Sequence, residues 1–260
     1  MTKNNTINGN YIAALDIGTS KVVCLIGSIS DSHSIEIVAM GSYPSSGLKK
    51  GVVVNIDATT DAIQKSIEQA KNSFEGKIKN VFVGIAGNHI KSLNSHGIVG
   101  IKDKEVTQLD IEKVIDAAQA VAIPSDQRVL HVLPQEFVID DQDAIREPLG
   151  MSGVRLESHV HLVTCANNAI QNIEKCVKRC GIGIDGFVLE QLASSYSILS
   201  NDEKELGVCI VDIGGGTTDI AIFNNGSICF TGVIPIAGDQ VTSDIAAVSY
   251  THLTLPTKLS

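Results

Sequence analysis

The stretch from Val208 to Phe223 reads VCIVDIGGGTTDIAIF, two apolar β-branched runs joined by three consecutive glycines. That pattern predicts a strand, a tight turn and a second strand. Gly214, Gly215 and Gly216 leave no side chain between backbone and ligand and permit positive φ, so their N–H groups can converge on an anion such as a phosphate chain. Asp212 closes the first run. A carboxylate beside phosphates makes sense chiefly when a hard divalent cation lies between them, so Asp212 is expected to contact Mg²⁺ or a water bound to it. Thr217 and Thr218 add hydroxyl donors. No Gly-Lys-Ser/Thr follows, so this is not a Walker loop, and Asp219 stands where a dinucleotide fingerprint has its third glycine. Taken alone, the stretch reads equally well as an ordinary glycine hairpin.

The device occurs twice. Tyr11 to Gly27 reads YIAALDIGTSKVVCLIG, again an apolar strand ending in Asp, here Asp16, then Ile17-Gly18, then the hydroxyl residues Thr19 and Ser20 before another apolar strand. Such a repeat implies two similar halves, each offering one phosphate-holding hairpin to a shared cleft. Lys21 adds a cation beside Thr19 and Ser20, either a point charge for phosphate oxygens or a strand lysine facing water.

The elements that must position these hairpins are readable from periodicity. Tyr11 to Ile17, Lys21 to Ile29 and Ser34 to Tyr43 form an antiparallel three-strand meander. A helix capped by Asp57 or Thr59 buries Ile63, Ile67, Ala70 and Phe74 and ends at Gly76; Lys79 to Ala86 is the fourth strand. From about Gly87 to Glu157 a separate small unit follows. It has strands at His89 to Leu93 and Gly97 to Ile101, a helix opened by the Thr107/Asp110 pair, a strand from Arg128 to Asp140, and a solvated acidic loop from Asp140 to Gly153. Val160 to Cys165 is expected to rejoin the main sheet. A helix from Asn167, a strand from Ile182 to Leu189 and a helix from Glu190 to Ser200 lead to the second hairpin, after which Ser227 to Ile236 repeats the third strand and Gly238 opens a helix.

Composition excludes several classes. At 260 residues, 43% of them hydrophobic, the chain can bury a sizeable aliphatic core, and a net charge of -9 gives no footprint for nucleic acid. The first ten residues are polar and no apolar run approaches a membrane-spanning length, so the expected location is cytoplasmic. The six cysteines sit mostly in apolar runs, as small buried hydrophobes of a reducing compartment. Cys176 and Cys180 have helical spacing, but no second pair completes a zinc site, and His159 and His161 read as a partly buried polar pair on a strand.

The paired hairpins resemble the actin, Hsp70 and sugar-kinase superfamily, and within it the FtsA family of bacterial cell-division proteins. The segments that carry this are ALDIGTSKV at 14–22, RVLHVLPQEFVID at 128–140, GMSGVRLESHVHLVTC at 150–165, LASSYSIL at 192–199 and ELGVCIVDIGGGTTDIAIF at 205–223. The resemblance implies an α/β, actin-like, ribonuclease-H-like fold. Its first lobe would be 1–86 with 158–200, an inserted small α+β subdomain 87–157, and an incomplete second lobe 201–246. It implies ATP and Mg²⁺ as cofactors, with Asp16 and Asp212 on the metal and Gly18, Thr19, Ser20, Lys21, Gly214, Gly215, Gly216, Thr217 and Thr218 on the nucleotide. It also places Glu190 where the superfamily orients an attacking water, the alternative being a helix-start acid favoured by the macrodipole. The implied role is an adaptor that polymerises with itself, contacts later division proteins through 87–157, and anchors FtsZ to the cytoplasmic face of the membrane at the division site. The FtsZ-binding region and membrane helix are expected beyond this chain, since 247–260 reads as a tail foreign to the family. Nucleotide would act as a polymerisation switch, with at most weak ATPase activity. A phosphotransferase is the alternative, and it would need a carboxylate base facing a second substrate's hydroxyl. An Hsp70-like chaperone, a third reading, would need a peptide-binding domain after the lobes.

Overall fold

The computed structural model describes residues 11–30 and 34–249; the first ten residues and all of the expected tail 247–260 beyond residue 249 lie outside them. The first unit runs β1 (Tyr11–Ile17), β2 (Lys21–Ile29), β3 (Ile35–Pro44), the short pair β4 (Leu48–Lys49) and β5 (Val52–Val53), α1 (Ile56–Lys71) and β6 (Asn80–Ile85). Then come β7 (Ile90–Gly100), α2 (Gln108–Gln119), β8 (Gln127–Ile139), β9 (Gln142–Ile145) and β10 (Arg155–Ala166). The chain continues through α3 (Asn167–Arg179), β11 (Gly183–Leu189), α4 (Glu190–Ile198) and α5 (Asn201–Leu206) to β12 (Val208–Ile213), β13 (Thr218–Asn224), β14 (Ser227–Ile234) and α6 (Gly238–Ser249).

The main sheet has the order β11-β6-β1-β2-β3, with β1, β2 and β3 antiparallel and β6 and β11 parallel to β1. This is the ribonuclease-H-like arrangement. Strict alternation in β1 and β2 buries Leu15, Ile17, Val22, Cys24 and Ile26, which meet Ile63, Ile67 and Ala70 of α1 and Ile170, Ile173 and Val177 of α3 in one core. The α1 start differs from expectation. Asn55 is the cap, its Oδ1 accepting from Ala58 N at 3.0 Å, because the helix begins one turn before Thr59. Its last turn closes at Asn72, short of Gly76.

The inserted unit is an antiparallel sheet of order β7-β10-β8-β9 with α2 on it. Thr107 and Asp110 form the expected capping box. Two expectations are corrected. β7 is one strand rather than two, because pairing with β10 runs unbroken from Ile90↔Cys165 to Gly100↔Arg155 and carries the polar middle residues along. β10 does not rejoin the main sheet: both of its edges are already occupied, by β7 and β8. Its C-terminal end still delivers Val163 and Cys165 into the first unit's core. The acidic loop is partly ordered as β9, whose Ile145 is buried.

The second hairpin forms a three-stranded antiparallel sheet, β12-β13-β14. Its buried residues Ile210, Ala221, Phe223 and Ile228 pack on Leu133 of β8 and Leu199. Among the described residues, no helix is long and apolar enough to cross a membrane.

Candidate functional site

Each glycine hairpin closes by the same bond. Gly18 N donates to Lys21 O at 3.0 Å, and Gly214 N donates to Thr217 O at 2.9 Å. The repeat seen in the letters is therefore a repeat in backbone geometry. In register, Asp16 pairs across to Val23 and Asp212 to Asp219, so each aspartate ends its strand one residue before the last pair of the ladder.

The two turns together line one cleft of about 330 Å³. Asp16, Gly18, Thr19, Ser20 and Lys21 of the first hairpin line it, together with Asp212, Gly214, Gly215, Gly216 and Thr217 of the second and Glu190. Thr218 does not line it: side chains alternate along β13, and its hydroxyl donates instead to Ile236 O at 2.7 Å. Asp219, on the same face as Thr217, lines it instead, and so do Gly51 and Ala86.

The triple glycine serves close approach rather than positive φ. None of Gly18, Gly214, Gly215 or Gly216 has a left-handed backbone. A Cβ on Gly215 would sit 2.0 Å from Ser20 Oγ, and one on Gly216 would sit 2.7 Å from Thr19 Oγ1 and 3.1 Å from Lys50 Cα. The second turn thus nests directly on the first. The β4–β5 turn completes the wall, with Gly51 N donating to Thr19 Oγ1 at 3.2 Å.

The charges are lopsided. Asp16, Glu190, Asp212 and Asp219 gather around a cleft that Lys21 shares. Burial, then the charge of Asp212, raises Asp16 above the ordinary carboxylate range, with Lys21 opposing. Burial also raises Asp219, against the Thr217 hydroxyl that donates to its Oδ2 at 2.9 Å. Glu190 is the extreme case: burial and the neighbouring Asp16, Asp219 and Asp212 push it up to about 8. It is the first residue of α4 and lies against Gly84 of β6, where a Cβ would come within 3.0 Å of its Oε1. Next to it, Gln191 is fully buried and donates to Asp219 Oδ1 at 2.8 Å, bridging the first unit to the second hairpin.

This donor set fits a hard cation: carboxylate oxygens in excess, with Asp16, Glu190 and Asp219 held toward the protonated form by burial and by neighbouring charge. Among the described residues, no three His, Cys, Asp or Glu side chains lie close enough to hold an ion alone. A metal here would need water and ligand oxygens to complete its shell.

Comparison with known proteins agrees with this architecture. The family model described as "SHS2 domain inserted in FTSA" matches residues 87–164, and that described as "Cell division protein FtsA" matches 209–254. The cell division protein FtsA of Pseudomonas aeruginosa is 66% identical over 92% of this chain and 57% of its own length. That of Neisseria meningitidis is 52% identical over 91% and 57%, and that of Escherichia coli K12 46% identical over 90% and 56%. The chain thus spans little more than half the length of these relatives. Among solved structures, a PilM-PilN type IV pilus biogenesis complex is similar with a TM-score of 0.69, at 15% identity over 93% of this chain and 66% of that one. The ethanolamine utilization protein EutJ of Carboxydothermus hydrogenoformans is similar with a TM-score of 0.54, at 15% identity over 95% and 59%. These two likenesses concern the fold alone. With two family models and relatives up to 66% identical along nine-tenths of its sequence, the chain belongs to the FtsA family of bacterial cell-division proteins, with an actin-like fold.

Proposed function

We propose that this chain carries the nucleotide-holding cleft of an FtsA-type division protein, taking ATP with Mg²⁺ between its two hairpins. The observation that supports this most directly is the pair of identically closed glycine turns that line one carboxylate-rich cleft. Gly18 to Lys21 would hold the phosphates from one side and Gly214 to Thr217 from the other, while Asp16 and Asp212 would hold the cation through its waters. Bound Mg²⁺ would supply the positive charge that the four carboxylates lack. Asp219, fixed by Thr217 and Gln191, would accept from a metal-bound water, and Glu190 would orient a water toward the terminal phosphate. Hydrolysis would be slow, with nucleotide acting through the angle between the hairpins and hence on self-association. Self-assembly, contacts of 87–157 with other division proteins, and the anchoring of FtsZ at the membrane belong to this reading for the family's whole chain.

The test is calorimetric titration with ATP in the presence and absence of Mg²⁺. Wild type should bind one equivalent in a Mg²⁺-dependent manner, and Asp212→Asn should weaken binding about tenfold, or 1.4 kcal/mol. Equal affinity in wild type and variant, or indifference to Mg²⁺, would overturn the assignment.

A further inference from the structure

The inserted sheet is joined to its two neighbours by different forces. Toward the first unit it shares an apolar core, through Ile90, Val163 and Cys165. Toward the second hairpin one apolar contact, Leu133 against the Ile228 cluster, is flanked by polar links that cap the free edge of β14. Ser92 Oγ donates to Thr231 O at 3.0 Å, Asn94 Nδ2 to Cys229 O at 3.2 Å, and Gln135 Nε2 to Ile228 O at 2.9 Å. Ser227 Oγ returns a bond to Gln135 O at 2.9 Å. Arg146, on the β9 side, donates to Glu205 and, at 2.8 Å, to Asn225 O. Between Gln135, Arg146, Glu205 and Asn225 the joint leaves a cavity of about 500 Å³. The polar links can be exchanged for bonds to water, so the joint opens at the cost of the Leu133 contact.

One network at this joint reaches toward the cleft. Asn94 donates its amide to Cys229 O, so its Oδ1 is the acceptor 2.6 Å from His161 Nδ1, which must carry the imidazole proton. Nε2 of His161 then accepts from Thr231 Oγ1 at 3.1 Å. Burial holds His161 down at about 4, so the neutral tautomer persists at physiological pH. Thr231 pairs with Ala221 of β13, two residues from Asp219, which Gln191 grips from the other side. Strand β13 is thus linked through β14 to the inserted sheet at its middle and to α4 near its start.

We infer that the inserted sheet is a releasable clasp on β14, and that closure of the clasp and filling of the cleft favour each other. The second half rests on the nucleotide reading above. By linkage, anything that binds the inserted sheet and draws Ser92, Asn94 or Gln135 off β14 weakens the cleft's hold on its ligand, and the ligand weakens that binding equally.

The experiment compares wild type with Asn94→Ala and Arg146→Ala, both at exposed positions whose truncation leaves the cores intact. Hydrogen exchange over 227–234, measured without nucleotide, should be about fivefold or more faster in Asn94→Ala and faster also in Arg146→Ala, with exchange in β1 and β2 unchanged. Affinity for ATP with Mg²⁺ should fall about threefold in Asn94→Ala, and the nucleotide should slow exchange over 227–234 in wild type. Unchanged exchange in both variants overturns the clasp; faster exchange with unaltered affinity overturns the linkage. A wild type that binds no nucleotide overturns the nucleotide reading and the linkage with it, while the exchange comparison still decides the clasp.

Discussion

A Gly97→Ala chain is expected to lose at least about 3 kcal/mol of stability in the inserted unit, while Gly100→Ala, three residues along the same strand, stays within about 0.5 kcal/mol of wild type. On Gly97 a Cβ would lie 2.3 Å from Val114 O and 2.5 Å from Ala118 N, and on Gly100 it would meet nothing within 4 Å. The atoms opposing Gly97 are helix backbone. They cannot rotate aside as a side chain can, so α2 would have to lift off the sheet and uncover the layer formed by Val114, Leu156 and Phe137. Gly41 plays the same part in the first unit, where a Cβ would be 1.9 Å from Ser66 O and 2.5 Å from Ala70 N of α1, and Gly41→Ala should be comparably damaging. Urea denaturation with hydrogen exchange read separately over 90–165 and 11–85 measures both. If Gly97→Ala and Gly100→Ala unfold at the same midpoint, the close seating of α2 is not what stabilises that sheet.

These glycines also show what a sequence conceals. The strands around Asp16 and Asp212 were legible because alternation and turn chemistry are local, and the Thr107 capping box was legible for the same reason. Gly41 and Gly97 carry no local signal; what they permit is set by a helix that crosses the strand from elsewhere in the chain. The unbroken β7 was hidden because Asn94, Ser95 and His96 interrupt its apolar pattern, whereas pairing with β10 overrides the interruption. Helix α5 was legible and missed: Ser200 and Glu203 form a capping box of the kind read correctly at Thr107. In the cleft, alternation from Thr217 marks Asp219 as sharing its face and turns Thr218 away, a signal that the adjacent triple glycine masks. Gln191 and Gly84 take their meaning from Asp219 and Glu190, contacts made only once β6, α4 and β13 converge.

Replacing Glu190 by Gln should raise stability above neutral pH while removing whatever hydrolysis the cleft performs. Burial and the charges of Asp16, Asp219 and Asp212 push this carboxyl up to about 8. Its value in an unfolded chain is about 4.3. The folded state therefore keeps a proton that the unfolded state releases. Its contribution to stability is fully present below about pH 4.3 and is lost as pH rises through 8. The positive end of α4 favours the ionised form, but by only about 0.3 to 1 kcal/mol, too little to reverse the sign. At 1.36 kcal/mol per pKa unit, and discounting for mutual relaxation among the four carboxylates, the loss between pH 6 and 9 is on the order of 2 kcal/mol. For a chain of this length that is about 5 °C in Tm. Gln keeps the shape against Gly84 and cannot ionise, so Glu190→Gln should show a flatter Tm profile over that range and exceed wild type at pH 9. Mg²⁺ with nucleotide should flatten the wild-type profile as well, because a cation in the cleft stabilises the same carboxylates in their charged form. Parallel profiles for wild type and Glu190→Gln would mean that Glu190 is already ionised and solvated at neutral pH, and its assignment to the water facing the terminal phosphate would lose its electrostatic basis.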